Sequence, residues 1–308
     1  MPNHEYMIAL DLGGTDLKSG LVDRTGALTH FGRRPSHTLE SADAPLEVIA
    51  EAVEELRART GTRIGGAGLG CPGVIHPGTG AMVGSTAHLP HWDAIPLRER
   101  LNDWLGLEVS VDNDANCAAL AESELGAARG TRTSITVTLG TGVGCGIVSE
   151  GRVFRGAFGG AGELGHLPLG SGRYPCRCGV VNCVEPEASA SGLVTMARAA
   201  GLDAPDAATV FAAAARGDAR ATGLVDHMAD RLGALLAVAV NLLNPGAVVV
   251  GGGVSQAGEP LFSRLNRALE RYALASHRDG LRVVPAALGE RAGVIGAGLL
   301  RWHALEIS

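Results

Sequence analysis

Met7 to Leu12 alternates and is rich in aliphatic residues, turns at Gly13-Gly14, and continues through an apolar run from Leu17 to Val22 before a second turn at Arg24-Thr25-Gly26. A strand, a glycine turn and a strand predict a β-hairpin. The pattern returns in mid-chain. Ile135-Thr136-Val137-Thr138-Leu139-Gly140-Thr141-Gly142 can be set against Ile8-Ala9-Leu10-Asp11-Leu12-Gly13-Gly14-Thr15, and each is followed by a short strand, Gly146-Ile147-Val148 and Gly20-Leu21-Val22. Two such hairpins suggest an internal duplication whose halves grip one ligand between two lobes. A chance likeness between two Gly-rich hairpins is the alternative.

Helical spacing of Leu46, Ile49, Val53 and Leu56 predicts a helix over Pro45–Thr60, entered near Ser41 or Asp43. Further helices are expected over Pro96–Leu105, Ala115–Ala128, Val225–Leu243, Glu259–Tyr272 and Ala292–Trp302. Strands are expected over Ile64–Leu69, Glu108–Val111, Val248–Val250 and Leu281–Val284. Gly201–Thr222, rich in Ala and Asp, reads as a surface helical segment without chemistry. Strands alternating with helices make the chain an α/β protein. No linker divides it visibly, and the hinge between lobes is expected near Asp114.

The chain has 308 residues, enough for two domains and a sizeable core. An apolar fraction of 46% against 19% charged residues makes it globular. A net charge of −6 argues against nucleic acid as a partner. The longest apolar run, near Leu232–Leu243, stops at Asn244-Pro245, short of a membrane span. Met1–Leu10 does not read as a signal peptide, so a cytoplasmic protein with reduced Cys71, Cys117 and Cys145 is expected.

The densest chemistry lies between Glu163 and Glu185. His166, Cys176, Cys178 and Cys183 offer three thiolates and one imidazole, the ligand set of a closed structural Zn2+ site. Four protein ligands leave no position for water, so such a metal shapes a loop and does not react. Glu163 and Glu185 bracket it, and the loop would fix these two acids relative to each other.

Glycine clusters close three strands. In the first, Gly13 and Gly14 allow backbone N–H groups to approach phosphate oxygens, Thr15 adds a hydroxyl and Asp11 can face Mg2+. A plain hairpin turn is the alternative for this segment. Gly140, Thr141, Gly142 and Gly144 offer a second set of amides, and Gly251-Gly252-Gly253 a third, ahead of a helix. None is a Walker loop, because no Gly-Lys-Ser/Thr follows. Gly68-x-Gly70-x-x-Gly73 formally matches a dinucleotide fingerprint, but Pro72 and the turns after it cannot open a helix. Asp112-Asn113-Asp114-Ala115-Asn116 begins like a calcium loop, but Cys117 stands where that loop needs Gly and Ser123 where it needs Glu. Asp114, at a strand end beside Asn113, can accept a proton from a substrate hydroxyl that Asn113 orients. It can equally serve as the N-cap of the helix from Ala115.

Taken together, Asp11-x-Gly13-Gly14-Thr15, Asn113-Asp114-Ala115-Asn116, Gly140-Thr141-Gly142-x-Gly144, Glu163-Leu164-Gly165-His166, Cys176-x-Cys178-Gly179 and Cys183-x-Glu185 resemble the ROK family of sugar kinases. The resemblance covers essentially the whole chain, and the cysteine segment is its specific part. It implies a two-lobed actin-like ATPase or hexokinase-type fold with duplicated α/β domains and an interlobe cleft. Residues 1–114 with a C-terminal helix at about 291–308 would form the smaller lobe, and 115–290 the larger lobe with the zinc loop. Asp114 is implied as the general base. Gly73, Thr86, Asn113, Glu163, His166 and Glu185 would line the sugar, with His166 binding zinc through its other nitrogen. Asp11, Gly13, Gly14, Thr15, Gly140, Thr141, Gly142, Gly144, Gly252 and Gly253 would hold ATP and Mg2+.

The implied reaction is phosphoryl transfer from ATP to the 6-hydroxyl of a hexose, glucose first, with lobe closure excluding water. N-acetylmannosamine or another hexose stands next, and polyphosphate is an alternative donor. Two positions depart from the family pattern: Asn182 replaces a usual Gly before Cys183, and His88 within Ser85–Leu89 stands where glucokinase-like members often carry Asn. Family members are commonly dimers or tetramers, so a homodimer or homotetramer is expected. Repressors of the family carry an N-terminal helix-turn-helix domain, whereas here the first glycine motif begins a few residues from Met1. A non-catalytic sugar-binding protein is disfavoured by the presence of both Asp11 and Asp114.

Overall fold

The computed structural model describes residues 4–60, 64–84 and 86–307. Ser85, part of the segment compared with glucokinase-like members, lies outside them. In chain order, β1 (Tyr6–Leu12), β2 (Asp16–Val22) and β3 (Leu28–Pro35) lead to α1 (Ala44–Thr60) and β4 (Ile64–Cys71). The ribbon β5 (Val74–Ile75) and β6 (Met82–Val83) precedes α2 (Leu97–Leu105), β7 (Val109–Asn113) and α3 (Asp114–Glu124). Next come β8 (Thr133–Leu139), β9 (Val143–Ser149) and β10 (Arg152–Val153). Four helices follow, α4 (Glu185–Ala188), α5 (Ala190–Ala199), α6 (Ala207–Ala215) and α7 (Ala219–Leu243). The chain ends with β11 (Ala247–Gly251), α8 (Glu259–Tyr272), α9 (Ala275–Arg278), β12 (Arg282–Pro285) and α10 (Ala292–Ile307).

Two compact units result. The first holds Met1–Leu125, Arg152–Ala161 and Glu290–Ser308, and the second holds Gly126–Gly151 and Gly162–Gly289. The boundary expected at Asp114 falls instead after Leu125, because α3 packs along α10. That packing needs glycine: a Cβ on Gly296 would stand 1.7 Å from the Cys117 carbonyl oxygen. α3 also stops at Glu124, short of Ala128, where Gly126 begins a turn that accepts the Arg129 amide.

In the first unit the sheet order is β3-β2-β1-β4-β7, with β1 antiparallel to β2 and parallel to β4, and β4 parallel to β7. α1 buries the stripe Leu46, Ile49, Val53 and Leu56 in a core shared with Leu10, Leu12 and Leu69. Gly68 serves close packing: a Cβ there would meet the Ala297 carbonyl oxygen at 1.7 Å, so α10 lies directly on the backbone of β4. β3 escapes sequence reading because it is a sheet edge whose side chains are half-buried or exposed, which leaves no apolar alternation.

The second unit repeats the connectivity. Its strands run β9-β8-β11-β12, again an antiparallel hairpin followed by parallel neighbours. α7 starts at Ala219, earlier than Val225, since the Asp218 carboxylate accepts the Arg220 and Ala221 amides as an N-cap. It buries Leu232, Leu235, Leu236 and Val240, each contributing about 1.5–3 kcal/mol of apolar transfer. α6 corrects the expectation of a surface segment, because its Val210 and Phe211 enter the same core.

Candidate functional site

Each unit gathers candidate residues at the C-terminal ends of its parallel strands, where open α/β sheets place ligands. In the first unit the register sets Asp11 opposite Gly70 and Gly70 opposite Asp112, so β1, β4 and β7 finish in one row. Burial pushes the Cys71 thiol well up, and the negative charges of Asp114, Asp112 and Asp11 add to it. Burial also raises the Asp11 carboxyl above its ordinary value, opposed by Lys18, whose Nζ lies 3.4 Å from Oδ2. The Gly13–Thr15 turn is closed by a Gly13 N–H to Asp16 O bond of 2.8 Å, and Thr38 donates to Gly14 O at 2.9 Å.

Asn113, and not Asp114, is the N-cap of α3. Its Oδ1 accepts the Ala115 and Asn116 amides at 2.9 and 3.3 Å. Its Nδ2 donates to the Gly73 carbonyl at 3.1 Å, tying the strand end to the ribbon loop. Gly73 has a φ of +106°, and a Cβ there would stand 2.8 Å from Thr86 Cγ2. Thr86 Oγ1 accepts the His88 and Leu89 amides at 3.3 and 3.1 Å. The His88 ring rests on the first glycine turn, where a Gly14 Cβ would be 2.5 Å from its Nδ1. Gly73, Thr86, Asn113, Asp114, Asp11, Gly13, Gly14 and Thr15 thus share one end of this unit. Asp114 is half-buried, and its Oδ1 accepts the Ala115 amide at 2.8 Å.

In the second unit, the ligand atoms of His166, Cys176, Cys178 and Cys183 all lie within 4.8 Å of one another. Three sulfurs and one nitrogen that converge so closely fit a four-coordinate soft metal. The His166 ring divides its two nitrogens: Nδ1 faces Cys183 Sγ at 3.4 Å and Cys176 Sγ at 3.9 Å, while Nε2 faces Glu163 Oε2 at 3.8 Å. Burial raises the Glu163 carboxyl, with His166 lowering it and Glu185 raising it further. Asn182 adopts a φ of +57°, the left-handed backbone that its position before Cys183 demands.

Glu185 joins the thiol cluster to the second glycine turn. Its Oε1 accepts from Cys176 Sγ at 3.4 Å and its Oε2 accepts the Val143 amide at 3.1 Å. A Cβ on Gly142 would fall 2.5 Å from that same Oε2. Gly140, Thr141 and Gly144 belong to this turn, with the Gly140 amide donating to Gly142 O at 3.1 Å. The third cluster is adjacent: a Cβ on Gly252, whose φ is +81°, would come within 2.2 Å of Leu139 O. Gly253 opens onto free space.

Sequence reasoning overlooked Glu187. This residue is buried at 1% side-chain exposure, and accepts from Ser171 N at 2.6 Å, Ser171 Oγ at 2.7 Å and His227 Nε2 at 2.7 Å. Burial alone would raise its carboxyl; the hydrogen bonds from Ser171 and His227 overcome this and hold it below the usual range. It pins the start of the cysteine loop to α7. Arg155 was overlooked too, and Asp112 entered only as the first acid of a rejected calcium loop, although its Oδ2 accepts from Arg155 Nε at 2.7 Å.

The ROK family matches residues 7–303. A glucokinase of Halalkalibacterium halodurans is 36% identical, over 96% of this chain and 94% of its own. A ROK hexokinase structure from Thermus thermophilus is 35% identical and superposes with a TM-score of 0.86, over 98% of this chain and 100% of its own. A ROK glucokinase from Streptomyces griseus, solved in complex with glucose and AMPPNP, is 31% identical with a TM-score of 0.81, over 96% and 98% of the two chains. The chain belongs to the ROK family and has its actin-like ATPase, hexokinase-type fold.

Proposed function

We propose that this protein is an ATP-dependent sugar kinase that phosphorylates a hexose, glucose first, at the 6-hydroxyl. The position of Asp114 carries the reading. It follows β7 in the row that holds Asp11, and the helix cap that would have explained it otherwise is supplied by Asn113. Asp114 takes the proton of the attacking hydroxyl. Asn113, through its second amide hydrogen, and Glu163, His166 and Glu185 hold the other hydroxyls, with Gly73 and Thr86 forming apolar and backbone lining. The glycine turns at Gly13–Thr15, Gly140–Gly144 and Gly252–Gly253 present amides to the nucleotide. Mg2+ beside Asp11 would neutralise phosphate charge.

Zinc is part of the same proposal. Cys176, Cys178, Cys183 and His166 Nδ1 would hold it, leaving Nε2 and Glu163 for the sugar. All six cysteines are unbridged, which agrees with a reducing, cytoplasmic setting, and no helix among the described residues is long and apolar enough to cross a membrane. A homodimer or homotetramer completes the reading. His88, standing where glucokinase-like members often carry Asn, makes N-acetylmannosamine or another hexose the alternative substrate.

The test is ADP release with Mg-ATP across glucose, mannose, fructose, allose, N-acetylglucosamine and N-acetylmannosamine, with polyphosphate as a second donor. Turnover strongest on glucose is expected. A zinc-loaded, folded protein that is silent on every sugar with both donors overturns the kinase reading.

A further inference from the structure

The residue before Asn113 has no part in sugar or nucleotide chemistry as described, yet it is the most enclosed acid of the first unit's site. Asp112 has 4% side-chain exposure, and one of its two carboxylate oxygens is directed at the turn that carries Asp114. Oδ1 accepts the Asn113 amide at 2.8 Å and the Asn116 Nδ2 at 2.9 Å. Oδ2 accepts from Arg155 Nε at 2.7 Å. Arg155 is itself anchored by Nη1, which donates to the Val153 carbonyl at 3.3 Å. One oxygen therefore grips the residues on both sides of Asp114, and the other is held by a guanidinium from Arg152–Ala161, a separate stretch of the same unit.

The turn is pinned from the opposite direction as well. Asn113 caps α3 with Oδ1 and reaches Gly73 O with Nδ2. On β4, a Cβ at Gly70 would approach Asp114 Cα to 3.4 Å, so the backbone of Asp114 rests on this strand. The backbone on either side of Asp114 is therefore held from three directions. A general base works over tenths of an ångström, so its aim is worth as much as its presence.

We propose that the Asp112–Arg155 ion pair, with Asn116, is a positioning device for the base: it fixes the backbone of Asn113-Asp114 so that the Asp114 carboxylate is aimed at the attacking hydroxyl. This rests on the reading of Asp114 as the base. Neither Asp112 nor Arg155 touches substrate in this account, and both are positioning residues. The charge matters because a neutral amide at 112 keeps one acceptor for Asn113 but loses the hold on Arg155.

The test compares Asp112→Asn, Arg155→Met, Arg155→Lys and the double variant Asp112→Asn/Arg155→Met with the wild type and with Asp114→Asn. Readouts are kcat, sugar KM, melting temperature and zinc content. The expected result is a kcat lowered on the order of 10- to 100-fold in Asp112→Asn and in Arg155→Met, with sugar KM within about threefold of wild type. Arg155→Lys should recover part of the loss. The double variant should be no worse than the more impaired single one, since the two residues act as one unit. A folded Asp112→Asn or Arg155→Met enzyme with wild-type kcat overturns the inference. So does additive loss in the double variant, or a fall in activity that only follows the fraction unfolded. If Asp112→Asn does not fold, the partly exposed Arg155 decides through its Met and Lys variants alone. Asp114→Asn separates the two levels: if it retains turnover, the base reading itself fails, and if it is inactive while Asp112→Asn and Arg155→Met turn over normally, only the positioning inference fails.

Discussion

The Nδ1 atom of His166 lies 3.4 Å from the Cys183 sulfur, so the ring leans on the thiol cluster with one nitrogen and turns the other to Glu163 at 3.8 Å. One side chain thus couples the geometry of a metal-ligand set to that of a carboxylate. Whatever holds the sulfurs together also orients the imidazole.

The first prediction follows from that coupling. Cys178 is the exposed member of the set, so Cys178→Ser should leave the core intact while removing zinc. Sugar KM should rise by about tenfold or more as His166 and Glu163 lose their aim. Metal analysis and steady-state kinetics on the same preparation check it. A zinc-free variant with unchanged KM would separate the metal from sugar binding.

Gly293 supplies the second. A Cβ on it would stand 2.5 Å from Asp11 Oδ2. Because Asp11 is a rotatable side chain, Gly293→Ala should fold. The carboxylate should be displaced, and kcat/KM for Mg-ATP should fall on the order of tenfold while sugar affinity holds. Equal kcat/KM in the two proteins would mean that Asp11 does not face the nucleotide.

These two sites show how far the sequence could be read. The Cys-x-Cys-Gly cluster and the paired Gly-rich hairpins were legible because converging thiols and tight glycine turns use particular residues at short spacing. Gly293 was not, since its contact with Asp11 spans nearly the whole chain. Asp112 was visible but uninterpretable: its partner Arg155 comes from a different segment, and an acid beside Asn113-Asp114 looked like part of a calcium loop. α1 and α7 were legible from apolar spacing, whereas β3 was hidden because an edge strand needs no buried stripe. Glu187 was masked by its neighbour Glu185, and only the fold shows that one acid faces the thiols and the other faces Ser171 and His227.

A third prediction concerns pH and stability. His303 Nε2 lies 2.7 Å from Glu124 Oε1, joining α10 to α3. The hydrogen bond to Glu124 raises the imidazole above its ordinary 6.5, against the opposing effect of burial. A raised folded-state value stabilises the fold fully below 6.5, and this contribution is lost as pH climbs through the raised value. The pair is about a third exposed, so its worth stays below about 1 kcal/mol. His303→Gln should therefore melt lower than wild type in mildly acidic buffer, with the gap closing in alkaline buffer. A gap that is constant with pH, or that widens as pH rises, would refute the assignment.

Whether Asp114 is the base is decided by steady-state ADP release with Mg-ATP and glucose by wild type and Asp114→Asn, beside glucose binding measured calorimetrically. Clear wild-type turnover, a kcat reduced by about 10²- to 10⁴-fold in Asp114→Asn, and glucose affinity within a few-fold of wild type are expected. An Asp114→Asn protein that turns over glucose at the wild-type rate would contradict that role for Asp114.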